Sequence, residues 1–280
     1  MSDCPMTQLS SKEIINSQSG ATGAFNVILI EHAEALVEAA EIANLGAIFQ
    51  ISENCVTYHG ALKPIAVATK AIIESSNVPL SLHLDHAEGI ELIHEALDLG
   101  FDSVMYDGSK LPYRENVETS KKVAELCRKY GATIEVELGE VGGKDGVHAP
   151  GARTNPDEAK KFVDETGVDL LAVAVGTSHG QITREAQLDF ALISELASTI
   201  KIPLVLHGSS GVSDESLQQA VIAGMRKVNI ATHLNHVFTD EIRAFLNQDE
   251  KSVDPRKYMK KARSAVAQET ARLIKMLALN

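Results

Sequence analysis

Aromatic residues and cysteines are scarce in this sequence, and tryptophan is absent. Phe, Trp and Tyr make up 4% of the 280 residues, which leaves little material for the aromatic platforms on which proteins stack sugars or bases. Cys4, Cys55 and Cys127 are odd in number and have no paired spacing. We therefore expect neither a disulfide framework nor a cysteine-based zinc site.

Basic charge and long hydrophobic runs are also scarce. The chain carries 26 Lys and Arg against 38 Asp and Glu, for a net charge of -12, and its basic residues are spread out. This balance argues against nucleic acid as a partner. No stretch reaches the roughly 18 apolar residues of a membrane span, and the first ten residues resemble no secretory signal. The sequence predicts a soluble, cytoplasmic protein without a membrane partner.

Apolar residues are plentiful, at 44% of the chain, enough to bury the core of one domain over residues 1–280. Short apolar runs alternate with helical segments, and several helices step directly into the next run, as in "LGAIFQ" and "YGATIEVE". Such short connections indicate parallel strands joined by crossover helices. The predicted strands are residues 23–28, 46–52, 80–86, 103–109, 133–139, 170–176, 204–210 and 227–232.

Eight strands with helices between them match an α/β fold of the (β/α)8 TIM-barrel type. The alternative is an open doubly wound sheet, but the glycine cluster at 208–211 lacks the spacing of a dinucleotide-binding fingerprint. An extra C-terminal helix is predicted over 254–277. The other predicted helices are residues 31–44, 60–76, 89–99, 114–130, 156–166, 213–223 and 235–247.

Histidines follow three of the predicted strands at their carboxyl ends, where barrel enzymes carry their active sites. They are His86, His179 and His207. Three imidazoles with an open fourth position form a catalytic zinc arrangement. The alternative for each histidine taken alone is a hydrogen-bonded structural or surface role.

Three acidic residues accompany these histidines. Asp85 directly precedes His86, and it could act as a general acid and base or orient a ligand histidine. Asp107 and Glu137 end the fourth and fifth predicted strands. They could bind a second or alternate metal position, or accept hydrogen bonds from loop amides.

Glycines and hydroxyl residues dominate the last three strand ends. Backbone N–H groups of such turns, with the start of the following helix, form an anion site, and barrels commonly place a phosphate after strands seven and eight. The alternative is tight turns that need glycine only for their conformation. The candidate residues are Gly180, Gly208, Ser209, Ser210, Asn229, Ile230, Ala231 and Thr232.

Over nearly its whole length the sequence resembles the class II, metal-dependent fructose/tagatose-bisphosphate aldolases. The resemblance implies a barrel enzyme that reversibly cleaves fructose or tagatose 1,6-bisphosphate to dihydroxyacetone phosphate and glyceraldehyde 3-phosphate, assembled as a homodimer or homotetramer. The motifs are "GAFNV" from Gly23, "LDH" around Asp85, "VELGEVGG" from Val136, "VAVGTSHG" from Val173, "VLHGSSG" from Val205, "KVNIAT" from Lys227 and "DPRKYM" from Asp254.

The resemblance also implies roles for the candidate residues. Asp85 is the proton donor and acceptor, while His86, His179 and His207 hold a catalytic Zn²⁺. Asp107 and Glu137 match an alternate metal location. A monovalent cation, Na⁺ or K⁺, lies near the substrate phosphate. The implied substrate contacts are Asn26, Gly180, Gly208 to Ser210 and Asn229 to Thr232.

Two departures from the family pattern bear on chemistry and substrate. Relatives carry an acidic pair in the loop after Gly142-Gly143, whereas this chain has Lys144-Asp145-Gly146, so Asp145 is the nearest candidate for a second acid/base. Ala231 stands where tagatose-type members have Ala and fructose-type members often have Asp. The alternatives are another ketose phosphate as substrate, a zinc-dependent hydrolase, or a non-catalytic assembly subunit or sugar-phosphate sensor.

Overall fold

The computed structural model describes residues 9–138, 153–177 and 186–280. Eight parallel strands close into a barrel in chain order, with the first strand paired to both the second and the eighth. This arrangement confirms the predicted (β/α)8 barrel. The strands are β1 (Thr22–Asn26), β2 (Ala47–Ser52), β3 (Leu80–Ala87), β4 (Ser103–Tyr106), β5 (Thr133–Glu137), β6 (Leu170–Ala172), β7 (Leu204–Leu206) and β8 (Met225–Ile230).

Helices occupy most of the segments between consecutive strands, and the predicted C-terminal helix is present as α11. None of the helices in the described ranges combines the length and apolar character needed to cross a bilayer. They are α1 (Ser11–Ser17), α2 (Ile30–Ala43), α3 (Glu53–His59), α4 (Lys63–Ile73), α5 (Ile90–Asp98), α6 (Tyr113–Tyr130), α7 (Pro156–Thr166), α8 (Phe190–Thr199), α9 (Asp214–Ala223), α10 (Thr232–Gln248) and α11 (Pro255–Leu277).

Several elements differ from the sequence prediction in extent. The predicted helix over 60–76 is the shorter α4, because Gly60 adopts a left-handed conformation with φ of 77° and ends the preceding helix α3. The predicted end of the seventh strand is a short 3-10 turn over Ser209–Gly211. Three helices that were not predicted, α1, α3 and α8, begin at side-chain caps supplied by Ser10, Ser52 and Asp189. Glycine and polar residues thus shorten the strands and lengthen the loops around the barrel mouth.

The hydrophobic core has two parts. The larger part lies between the strands and the surrounding helices. A smaller cluster joins Ile15 of α1 to the strand residues Ala24, Ile48 and Val205. The hydroxyl of Ser11 also lies in hydrogen-bond contact with that of Ser81, near the start of β3. α1 therefore closes the amino-terminal end of the barrel and leaves the carboxyl-terminal end open.

The C-terminal helix α11 packs against α2 and α10 and reaches the start of β1. The backbone N–H of Ala21 donates to the carbonyl of Leu277 at 2.8 Å. A side chain at Gly20 would collide with the backbone of Leu277 and Ala278. Glycine is thus required where the end of the chain crosses the beginning of the barrel.

Candidate active site

A pocket of about 790 Å³ opens at the carboxyl-terminal ends of the strands. Most of the predicted site residues that the structure describes contribute to its wall. Three others do not line it: Ile230 is 2% exposed and part of the hydrophobic core, while His207 and Glu137 are 4% and 1% exposed. His179, Gly180 and Asp145 lie outside the described residues. The predicted residues that line the pocket are Asn26, Asp85, His86, Asp107, Gly208, Ser209, Ser210, Asn229, Ala231 and Thr232.

The end of β3 presents two adjacent side chains to this pocket. Neighbouring residues of a regular strand point to opposite faces. His86, however, has a φ of 52°, and the pairing of β3 with β4 shifts register between Leu84 and Ala87. A local irregularity of this kind re-aims a side chain at a strand end. Asp85 and His86 consequently both reach the mouth of the barrel.

His86 connects the acidic residues of β3 and β4 to His207 after β7. Its Nδ1 lies 2.8 Å from Oδ2 of Asp107, and the rings of His86 and His207 meet edge to face with centroids 4.7 Å apart. Nδ1 of His207 lies 3.5 Å from Oε2 of Glu137, the last residue of β5. Side chains from the ends of four strands or their following loops therefore converge on one point.

Negative charge dominates this point. Burial alone would lower the pKa of His86, but the charge of Asp85, the hydrogen bond with Asp107 and the charge of Glu137 together raise it to about 10. Burial favours the neutral acid of Asp107, yet hydrogen bonds from His86 and Ser109 hold the pKa of Asp107 well below its ordinary value. The local field stabilises a positive charge at the position of His86.

The donor atoms of these residues are close enough to share one cation. One ligand atom each from Asp85, His86 and His207 lie within 4.8 Å of one another, as do those from His86, Asp107 and Glu137. Imidazole and carboxylate are donors that suit a divalent transition metal such as zinc. The residues present thus fit a metal, with His86 common to two overlapping positions.

Amide side chains surround Asp85, which is 3% exposed. Asn26 and Gln50 donate to its Oδ2 at 3.4 and 3.5 Å, and Asn229 donates to its Oδ1 at 3.3 Å. The sequence analysis did not identify Gln50 as a site residue. The one signal that could have found it is its polar side chain within the apolar run "AIFQIS". These long hydrogen bonds orient the carboxylate.

Beneath the pocket, the barrel encloses an ion pair. Nζ of Lys227 lies 2.6 Å from Oε2 of Glu135, and both side chains are fully buried. His83 lies beside them, with Nδ1 2.7 Å from the hydroxyl of Ser103. Burial and the charge of Lys227 hold the pKa of His83 well below its ordinary value. His83 is therefore a neutral residue of the barrel interior.

A second part of the pocket lining is suited to an anion. Gly208 has a φ of 66° and starts the 3-10 turn, and the hydroxyl of Ser209 donates to the carbonyl of Asn229 at 2.5 Å, tying this turn to β8. α10 begins at Thr232 after Ala231, which provides no side-chain cap. The first N–H groups of a helix lack partners within it and carry partial positive charge. The start of α10 and the turn both contribute to the lining of the pocket.

Comparisons with known proteins agree with this geometry. The family model "Fructose-bisphosphate aldolase class-II" matches residues 11–280. Fructose-bisphosphate aldolases from several Staphylococcus aureus strains are 35% identical to this chain over 276 residues, which cover 97% of it and 96% of theirs.

Solved structures are similar over the same extent. The YdjI aldolase from Escherichia coli K12 has a TM-score of 0.82 and 27% identity, covering 96% of both chains. A fructose-bisphosphate aldolase from Campylobacter jejuni has a TM-score of 0.80 at 21% identity, covering 96% of this chain and 95% of that one, and bears on the fold alone. The chain therefore belongs to the class II fructose-bisphosphate aldolase family and is an aldolase, a carbon–carbon lyase for sugar phosphates.

Proposed function

We propose that this aldolase is zinc-dependent and reversibly cleaves fructose or tagatose 1,6-bisphosphate to dihydroxyacetone phosphate and glyceraldehyde 3-phosphate. The observation that carries the proposal is that Asp85 and His86, which form a cluster with His207, line the same pocket as the turn at Gly208 and the start of α10. The first group supplies metal ligands and an acid/base, and the second supplies donors for a phosphate.

The metal would be held by His86 and His207, with His179 as the third ligand. Asp107 and Glu137, which form a second donor group with His86, would hold it in an alternate position. When bound, the metal supplies a Lewis acid that stabilises the negative charge developing on the ketone half of the substrate.

Asp85 is proposed to take the proton from the C4 hydroxyl during cleavage and to return it to the aldehyde oxygen during condensation. The amides of Asn26, Gln50 and Asn229 hold its two oxygens in place. These amides do not themselves take up a proton, so the carboxylate is the proton acceptor among the four side chains. We propose Asp145 as the second acid/base, which acts at the dihydroxyacetone phosphate carbon.

The substrate phosphate is proposed to bind the backbone N–H groups of Gly208 to Ser210 and of the first turn of α10, starting at Thr232. A bound phosphate would satisfy helix donors that have no partner within the helix. Gly180 is proposed to complete this site, and a Na⁺ or K⁺ ion to accompany the phosphate. These assignments rest on the resemblance and on the position of the described residues in the pocket wall.

Lysine chemistry is disfavoured as the source of carbonyl activation. Among the described residues that line the pocket, the one lysine is Lys110, whose exposed ammonium group lies 2.7 Å from the carboxylate of Glu88. Lys227 is fully buried against Glu135. A Schiff base needs a deprotonated amine that reaches the substrate, and neither group meets both requirements.

A coupled assay of dihydroxyacetone phosphate release tests the proposed function. We expect a chelator to abolish turnover of fructose and tagatose 1,6-bisphosphate, and added Zn²⁺ to restore it. Borohydride with substrate should leave the enzyme untrapped. Full turnover by protein shown to be metal-free, or covalent trapping at a lysine, would exclude the proposed chemistry.

Other properties stay predictions of the sequence and the resemblance. They are the single domain over residues 1–280, the cytoplasmic location, and assembly into a homodimer or homotetramer. A different ketose phosphate remains the alternative substrate, which the same assay would reveal by a low rate with both bisphosphates.

A further inference from the structure

The buried ion pair between Glu135 and Lys227 is tied to the metal-site cluster through His207. Oε1 of Glu135 lies 2.9 Å from Nε2 of His207, and its Oε2 lies 2.6 Å from Nζ of Lys227. Glu135 and Lys227 are fully buried, and His207 is 4% exposed. One carboxylate therefore joins a histidine of the cluster with Asp85 and His86 to a cation in the barrel interior.

We propose that Glu135 is a positioning residue that fixes the tautomer and ring orientation of His207 for metal binding. An ionised carboxylate only accepts hydrogen bonds, so the contact with Glu135 keeps a proton on Nε2. The lone pair then belongs to Nδ1, on the side of the ring that faces Glu137 at 3.5 Å. Metal-binding histidines are commonly oriented by a carboxylate on their other nitrogen.

Lys227 has a supporting part in this arrangement. A charged carboxylate without a counter-ion is costly in a fully buried position. The ammonium group supplies that counter-charge, and its contact with Oε2 leaves Oε1 directed at His207. The alternation of side chains along a strand accounts for the position of Glu135 beneath the pocket. Glu135 and Glu137 alternate with Val136 on β5, so both glutamates face the interior, one below the other.

The alternative is that the pair merely fills the barrel. Two double variants separate these roles. Glu135→Met with Lys227→Met removes both charges and the acceptor. Glu135→Gln with Lys227→Met also removes both charges but keeps a carbonyl oxygen that can accept from Nε2. Apolar replacement of a buried ion pair is often neutral or stabilising, so the Met/Met protein should fold, and the Gln/Met protein buries a neutral amide rather than an unpaired charge; thermal unfolding checks both.

The readout is the zinc affinity of the metal-free proteins, measured by competition with a chromophoric chelator. We expect the Met/Met variant to bind zinc about 10–100-fold more weakly than the wild type, and the Gln/Met variant to stay within a few-fold of it. The absorption spectrum of the Co²⁺-loaded protein should change in the first variant and not in the second. Thr166→Val, which removes the buried 2.7 Å hydrogen bond to the carbonyl of Phe162, is the control and should bind zinc normally.

Wild-type affinity in the Met/Met variant would overturn the inference, and so would equal losses in both double variants, which would assign the effect to charge or packing. If the Met/Met variant fails to fold, histidine ring ¹⁵N spectra of the zinc-loaded wild type decide, because a His207 protonated on Nδ1 contradicts the proposed tautomer. The inference rests on the proposed function, since it takes His207 as a metal ligand. Wild-type protein that binds no zinc would refute both, whereas normal zinc binding by every variant would refute the inference alone.

Discussion

Replacement of Asp85 by asparagine tests the assignment of the acid/base most directly. The change keeps the size of the side chain and removes its ability to take a proton. A positioned general acid/base contributes ~10²–10⁴-fold, or roughly 3–5 kcal/mol of barrier. We therefore expect kcat to fall at least ~10²-fold while the KM for the ketose bisphosphate changes little.

The structure indicates that Asp85→Asn can be accommodated. Asn26 and Gln50 would still donate to the remaining carbonyl oxygen. The new amide group would then face Asn229, whose Oδ1 has no hydrogen-bond partner among the described residues. A half-turn of the Asn229 amide would place that oxygen against the new N–H group. The cost in unfolding free energy should stay at about 1 kcal/mol, the scale of one hydrogen bond.

The assay combines steady-state kinetics with a zinc count and with exchange of the C3 proton of dihydroxyacetone phosphate into deuterated water. We expect one zinc per subunit and continued exchange, because enolisation uses the metal and a different base. Glu53→Gln is the matched control, since Glu53 also lines the pocket and, within the described part of the chain, its carboxylate accepts a hydrogen bond from the N–H of Glu88 alone. Loss of zinc with Asp85→Asn would make Asp85 a ligand or its support, and near-normal turnover would remove it from the proton transfer.

Three further predictions concern substrate preference and stability. Ala231→Asp should shift the ratio of kcat/KM values toward fructose over tagatose 1,6-bisphosphate by an amount worth ~1–3 kcal/mol, and an unchanged ratio would assign the discrimination elsewhere. Lys110→Gln should raise the KM for a ketose bisphosphate and leave that for a ketose 1-phosphate unchanged, if Lys110 contacts the second phosphate; equal effects on both would refute that contact. Burial lowers the pKa of His32 to about 4 from 6.5, so the free energy of unfolding should fall by up to roughly 3 kcal/mol between pH 6.5 and 4. His32→Asn, which keeps an acceptor for the N–H of Leu29, should flatten this fall in urea titrations, and an unchanged slope would contradict the assignment.

The barrel could be predicted because its strands are buried on both faces and read as continuous apolar runs. Each of the eight predicted runs contains most of an observed strand. The strand ends were predicted less well, since apolar residues such as Val173 and Val175 remain buried beyond the last residue of β6. A residue can be buried without being paired in a sheet, and a run of apolar residues in the sequence indicates only that they are buried.

The sequence analysis selected Asp85 and His86 partly because they are adjacent. The alternation of side chains along a regular strand would by itself direct them to opposite faces of β3. Their convergence depends on the backbone of His86, whose positive φ has no sequence signal in a non-glycine residue. Glu135 and Lys227 are separated by 92 positions along the chain. Lysine is rarely buried without a partner, so only the closed barrel reveals that each residue is the other's counter-ion.

The pairing of β1 with β8 has a consequence for how the chain reaches its native state. This seam joins Thr22 to Lys227, so one edge of the first strand made during synthesis is covered only after the last of the eight strands has been made. Contacts so distant in sequence form late, after the entropy of closing a long loop has been lost. Lys227, which supplies the counter-charge for Glu135, lies on this same last strand. A chain interrupted before residue 225 would therefore carry an uncovered strand edge and an uncompensated acid together, which marks it as a substrate for chaperones and proteases.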